Sequence, residues 1–146
     1  MFSIVADTNL FVSALISRKG ASFAILSRLL EEAGRGQRYN HVSVPLILEL
    51  EEVLLRSVNR QKYPQFSQAD LCGFVDDVAA ISVPVRINYL WRPYLKDAGD
   101  DKVLETAFNA SAKAIVTHNV RDFSGVERDF GIEVLTPQRF LERIQR

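Results

Sequence analysis

The chain has 146 residues, 47% of them apolar and 25% charged, a balance that excludes a disordered or fibrous polymer and fits one folded domain. Lys plus Arg number 18 and Asp plus Glu number 18, so the net charge gives no reason to cling to a polyanion, and any such partner must be held locally. The lone cysteine, Cys72, excludes an internal disulfide, no Cys/His spacing fits zinc, and no run approaches the ~20 apolar residues of a membrane span. The expectation is a soluble, unprocessed protein of the reducing cytoplasm.

Phe2 to Ala6 reads as a buried strand, too short and too uniformly apolar for an amphipathic helix. Asp7 closes it, and Leu10, Phe11, Ala14 and Leu15 begin a helical pattern. Arg18-Lys19-Gly20 breaks that pattern, and Ala21 to Ala33 forms a second helix with Phe23, Leu26, Leu29 and Leu30 on one stripe and Gly34 as its stop. Val42 to Val44 is a brief strand, and Pro45 opens a helix running to about Val58. Residues 59–66 read as a loop before a helix capped by Ser67 and ending near Ala80. Ile81 to Ile87 suits an edge strand, because Pro84 cannot donate to a central ladder.

Asp97 to Asp101 is an acidic turn, followed by a helix over Lys102 to Ala112 and a buried strand over Ala114 to Thr117. Glu133 to Leu135 is a last strand, and Thr136-Pro137 caps a C-terminal helix. Strands and helices alternate without a linker, repeat or low-complexity segment. That order predicts a single-domain three-layer α/β/α sandwich over residues 1–146, with a mostly parallel, Rossmann-like central sheet.

In such a sheet, ligands gather where strands end. Asp7 follows directly on an apolar strand, where a carboxylate needs a cation or a shell of donors; capping the next helix from Thr8 is its plainer role, and the two can coexist. On the helix after Pro45 the inward stripe is Leu46, Ile47, Leu50, Val53 and Leu54. That stripe puts Glu49 and Glu51 on its borders and Glu52 opposite, and periodicity does not choose between Glu49 and Glu51. Asp100, Asp101 and Glu105 open the next amphipathic stretch, where first-turn acids also complement the helix dipole. Asn119 and Asp122 emerge after the strand ending at Thr117, a position that equally suits turn formers. Acids converging from strand ends and helix borders repel one another unless a hard divalent cation supplies the countercharge, and the chemistry that uses such a site is phosphodiester or phosphoryl transfer.

The stretches VADTNLFVSAL, PLILELEEVL, DAGDDKVLETAF and IVTHNVRDF, in that order across nearly the whole chain, resemble the PIN-domain nucleases, particularly the VapC-like toxins of bacterial toxin-antitoxin pairs. The resemblance implies a PIN-like fold and an endoribonuclease dependent on Mg²⁺ or Mn²⁺ that leaves a 5′-phosphate. It selects Glu49 over Glu51, implies Asp7 and Asp101 as main metal ligands, and has Glu49 and Asp122 completing the acidic set. Thr8, Asn9 and Asn119 would contact water or phosphate, with Ser13 a weaker candidate. The turn reads Asp97-Ala98-Gly99-Asp100-Asp101 where many relatives carry a proline and a further acid, so Asp100 and Glu105 remain alternative ligands. The implied partners are RNA, a cognate antitoxin over the cleft and a second copy of the chain. Alternatives are a non-toxin PIN nuclease for RNA processing or DNA cleavage, and a silent PIN-like binding module. An aspartyl-phosphate phosphatase is disfavoured, because Asn9 stands where a second aspartate is needed.

The local basic excess at Arg35, Arg38, Arg56, Arg60 and Lys62 is either a guide for an RNA backbone or a plain solvated face. Tyr39, Tyr63 and Phe66 fit local core better than base stacking, His41 and His118 fit surface positions, and Cys72 fits a small buried site.

Overall fold

The computed structural model describes residues 1–145. Its order is β1 (Ile4–Ala6), α1 (Thr8–Ile16), α2 (Ala21–Gly34), β2 (His41–Val42), α3 (Val44–Leu55), α4 (Ser57–Arg60), α5 (Gln68–Ala80) and β3 (Val83–Pro84). It continues with α6 (Ala98–Ala110), β4 (Ala114–Val116), a 3-10 turn (Val120–Phe123), α7 (Val126–Phe130), β5 (Glu133–Leu135) and α8 (Pro137–Ile144).

All strand pairs are parallel: β1 with β4, β4 with β5, and β2 with β3, while a single bridge between Ile4 and Asn40 ties the two sheets together. The resulting order β3-β2-β1-β4-β5 reverses direction of growth at the β1/β4 boundary, the switch point where an open α/β sheet leaves a crevice. Strand period 2 divides the core. Ile4, Ala6, Ala114 and Val116 join α1, α2, α5 and α8 on one face, whereas Val5 and Ile115 join Val103, Leu104 and Phe123 on the other. Both faces are thereby covered, as the α/β/α expectation required.

Local chemistry sets the helix starts. Ser43 Oγ accepts from the Leu46 amide, Ser67 and Asp70 form a reciprocal capping box, and Thr136 Oγ1 accepts from the Arg139 amide. Several boundaries differ from the sequence expectation. The helix expected to reach Val58 breaks at Arg56, whose ψ of 134° is extended, and resumes as α4. The strand expected over Ile81 to Ile87 shrinks to Val83–Pro84, and α6 begins at Ala98 rather than Lys102, with Asp97 as its cap. The segment α7 has five residues between Gly125 and Gly131, both left-handed, too short for a periodic signal. Tyr63 is fully buried with its hydroxyl donating to Leu54 O, Tyr39 and Phe66 pack on the same core, and Cys72 is half-buried rather than buried. Among the described residues no single helix is long and apolar enough to cross a membrane.

Candidate active site

The crevice at the β1/β4 boundary is built from the ends of those two strands and the starts of two helices. Asp7 ends β1 and caps α1. Its Oδ1 accepts from the Thr8 amide at 2.7 Å, and its Oδ2 accepts from the Thr117 hydroxyl at 2.7 Å and from Asn9 Nδ2 at 3.3 Å. Thr117 follows β4 directly, is fully buried, and its Oγ1 also accepts from Asn9 Nδ2 and from the Asn119 amide. The carboxylate is therefore fixed by donors while only 6% exposed. Burial pushes its pKa up, the hydrogen bonds from Thr117 and Thr8 oppose this, and the charge of Asp122 adds to the rise.

Facing Asp7 across one cleft are Glu49 from α3, Asp97 and Asp100 from the start of α6, and Asn119, with Thr8, Asn9, Arg56 and Asn59 on its walls. Glu49 is raised by burial and by Asp7 and Asp97, against the opposing pull of Lys102, whose Nζ lies 3.7 Å from Glu49 Oε1. Asp100 is pushed up to about 7 by burial and then by the charges of Asp7, Asp97, Asp122 and Glu49. Asp122, exposed on the 3-10 turn, lines an adjoining cavity together with Asp97 and Asp100.

The helix face separates Asp100 from its neighbours. Asp101 is 2% exposed, its Oδ1 accepts from the Leu95 amide at 2.8 Å, and it lines neither cavity. Glu105 is equally buried, and its carboxylate is taken by Arg92 Nε at 3.0 Å and the Trp91 amide at 2.9 Å. Both acids anchor the segment preceding α6 from below. The structure thus brings together Asp7, Glu49, Asp100, Asp122, Thr8, Asn9 and Asn119, and adds Asp97. Asp101 and Glu105 point elsewhere, a consequence of the earlier start of α6.

Ser13 lines no part of the cleft, and of the basic residues Arg35, Arg38, Arg56, Arg60 and Lys62 only Arg56 does. His118 is exposed as a residue; its Nε2 meets Ser22 Oγ at 2.9 Å, its amide donates to Asn9 Oδ1, and partial desolvation of the ring lowers its pKa against the opposing charge of Asp7. Thr117, outside the sequence-based candidate set, carries the same signal as Asp7: a polar residue closing an apolar run.

Among the described residues no three acidic, histidine or cysteine side chains stand close enough, as placed, to hold one ion. The donor set nevertheless fits a hard divalent cation. It consists of carboxylate oxygens around one cleft, with Lys102 beside Glu49 as a nearby countercharge, and the charges of Asp7, Asp97, Asp122 and Glu49 add to the rise that burial imposes on Asp100. A family model described as a PIN domain matches residues 3–121, and no curated protein matches the chain.

Proposed function

We propose, since the chain belongs to the PIN-domain family, that it is a divalent-metal-dependent endoribonuclease whose centre is Asp7, Glu49, Asp100 and Asp122. PIN domains are typically metal-dependent nucleases. The observation that carries the reading here is the convergence of Asp7 and Asp100 on the switch-point cleft, with Asp100 pushed up to about 7 by burial and then by its negative neighbours.

In this reading Asp7, Glu49 and Asp100 hold Mg²⁺ or Mn²⁺, and Asp122 completes the set from the adjoining wall. When bound, such a metal would supply countercharge to a scissile phosphate and make water a stronger nucleophile. Thr117 and Thr8 hold the Asp7 carboxylate in one orientation, so its free lone pairs are aimed before metal arrives. Asn119 offers its side-chain amide on the cleft wall for phosphate oxygen or water, whereas the Asn9 amide is spent on Asp7, Thr117 and the His118 backbone and holds the cleft floor in place. Asp101 and Glu105 contribute by holding the residue 91–95 backbone.

The finer assignment is to the toxin of a toxin-antitoxin pair, a cytoplasmic homodimer with a cognate antitoxin over the cleft. Its support is the likeness of the ordered motifs to VapC-like toxins. The test of activity is cleavage of defined single-stranded RNAs with added Mg²⁺ or Mn²⁺ and with chelator, followed by end mapping. Metal-dependent cuts bearing 5′-phosphates are expected; no cut on any RNA would shift the reading to a silent binding module. Light scattering at working concentration tests the dimer, and a monomer would refute it.

A further inference from the structure

Next to the acid cleft lies a second cavity of about 560 Å³, lined by Tyr94, Lys96, Asp100, Arg121, Asp122 and Ser124 among others. The two share Asp97 and Asp100, so they form one continuous depression. Lys96 and Arg121 are exposed, and among the described residues neither lies within ion-pair distance of a carboxylate, although acids line the same cavity. Two cations beside an acidic centre, not spent on neutralising it, are available to phosphate.

Tyr94 stands at the rim, 36% exposed. Its hydroxyl donates to Asp129, and its ring meets Phe130 edge-on at 5.1 Å between centroids. Phe130 in turn packs on Trp91 and Phe108, so the tyrosine is braced from behind by an aromatic cluster. Gly125, at φ +88°, leaves room for it: a Cβ there would fall 3.2 Å from the Tyr94 hydroxyl. The ring is thus fixed at two points and still presents surface beside the cavity.

We propose that this cavity is a nucleotide subsite for a single-stranded polynucleotide. Tyr94 stacks the base next to the cut, and Lys96 and Arg121 hold the phosphate flanking the scissile diester. A base reaches an aromatic side chain only when it is unstacked from a duplex, so an unpaired strand is the matching substrate. The subsite rests on the nuclease reading, because its place is defined by Asp100 and Asp122.

The test is fluorescence anisotropy of a labelled single-stranded RNA with Asp7→Asn protein in Mg²⁺, alongside cleavage kinetics in the otherwise native chain. Tyr94→Ala and Tyr94→Leu should each weaken binding about tenfold, with Tyr94→Trp restoring it. Lys96→Gln with Arg121→Gln should reduce the steepness of log affinity against log salt by roughly 0.7 for each phosphate no longer neutralised. In cleavage the rise in KM should far exceed the fall in kcat. Unchanged affinity in the tyrosine variants, equal falls in kcat and kcat/KM with KM constant, or equal binding of duplex RNA would overturn the subsite. Tyr94-dependent binding without any cleavage by the native chain would instead overturn the nuclease reading and leave the stacking interaction standing.

Discussion

The hydroxyl of Thr117 donates to Asp7 Oδ2 across 2.7 Å, joining residues 110 positions apart in the sequence. The two side chains close adjacent parallel strands, so this bond locks the Asp7 carboxylate to the sheet rather than to its own helix alone. Replacing Thr117 by valine keeps the volume and removes the donor. Asp7, already raised by burial, then rises further, so less of it is ionised at a given pH. The acid limb of the pH–rate profile should move to higher pH, with stability lower by about 1–3 kcal/mol because the buried Asp7 carboxylate loses a donor. An unmoved limb in a folded variant would show that the bond does not tune Asp7.

Asp100 gives a sign-definite stability effect. Its folded pKa of about 7 lies above the ordinary 3.8, so the folded state holds a proton that the unfolded chain releases earlier. Its contribution is favourable below the unfolded value and is lost as pH rises through about 7. Metal-free protein should therefore lose stability between about pH 4 and 7, and Asp100→Asn should be the more stable form near pH 8. After solvent screening the difference is on the order of 1 kcal/mol, or roughly 2–4 °C in the melting midpoint. Saturating Mg²⁺ should narrow the gap by stabilising only the native chain. Identical pH profiles for the two proteins would refute the raised pKa of Asp100.

Neighbouring acids on α6 should separate stability from activity. Asp101→Ala removes the acceptor of the buried Leu95 amide and should cost about 1–3 kcal/mol in denaturant unfolding. Asp100→Ala should unfold no more easily than the native chain yet lose at least ~100-fold in cleavage rate, the range of a missing charge-stabilising group. Arg92→Ala leaves Glu105 buried without its guanidinium, and the melting midpoint should fall. The reverse pattern, with Asp101→Ala folded and inactive, would return Asp101 to the metal site.

Gly99 is tested by a single methyl. A Cβ there would stand 2.6 Å from Glu49 Oε1 and 3.3 Å from Asp97 Oδ1, so the Glu49 carboxylate must swing aside in Gly99→Ala. A flexible side chain yields cheaply, and an added Cβ in a helix is mildly favourable, so stability should change by less than about 1 kcal/mol. Metal affinity measured by titration calorimetry should fall about tenfold or more, the lower range for disturbed ligand support. Native affinity would remove Glu49 from the ligand set.

Asp7 was legible in the sequence because an apolar run that stops on a charged residue announces a buried strand end, and the same rule would have found Thr117. Parallel sheet and covered faces followed from strand–helix alternation. The choice between Asp100 and Asp101 was not legible, since adjacent helical residues point about 100° apart and the answer depends on where the helix begins. Asp97 caps α6, which starts at Ala98 with Asp100 toward the cleft and Asp101 toward Leu95. Lys96 and Arg121 carry no periodic signal at all; only the fold sets them beside Asp122.

The most direct measurement is the single-turnover rate of RNA cleavage in Mg²⁺ by the native chain and by Asp7→Asn, each shown to be folded by circular dichroism and purified free of host nuclease. Metal-dependent cleavage by the native chain and a fall of at least ~100-fold in the variant are expected if Asp7 holds the metal. Equal rates in the two proteins would contradict that role.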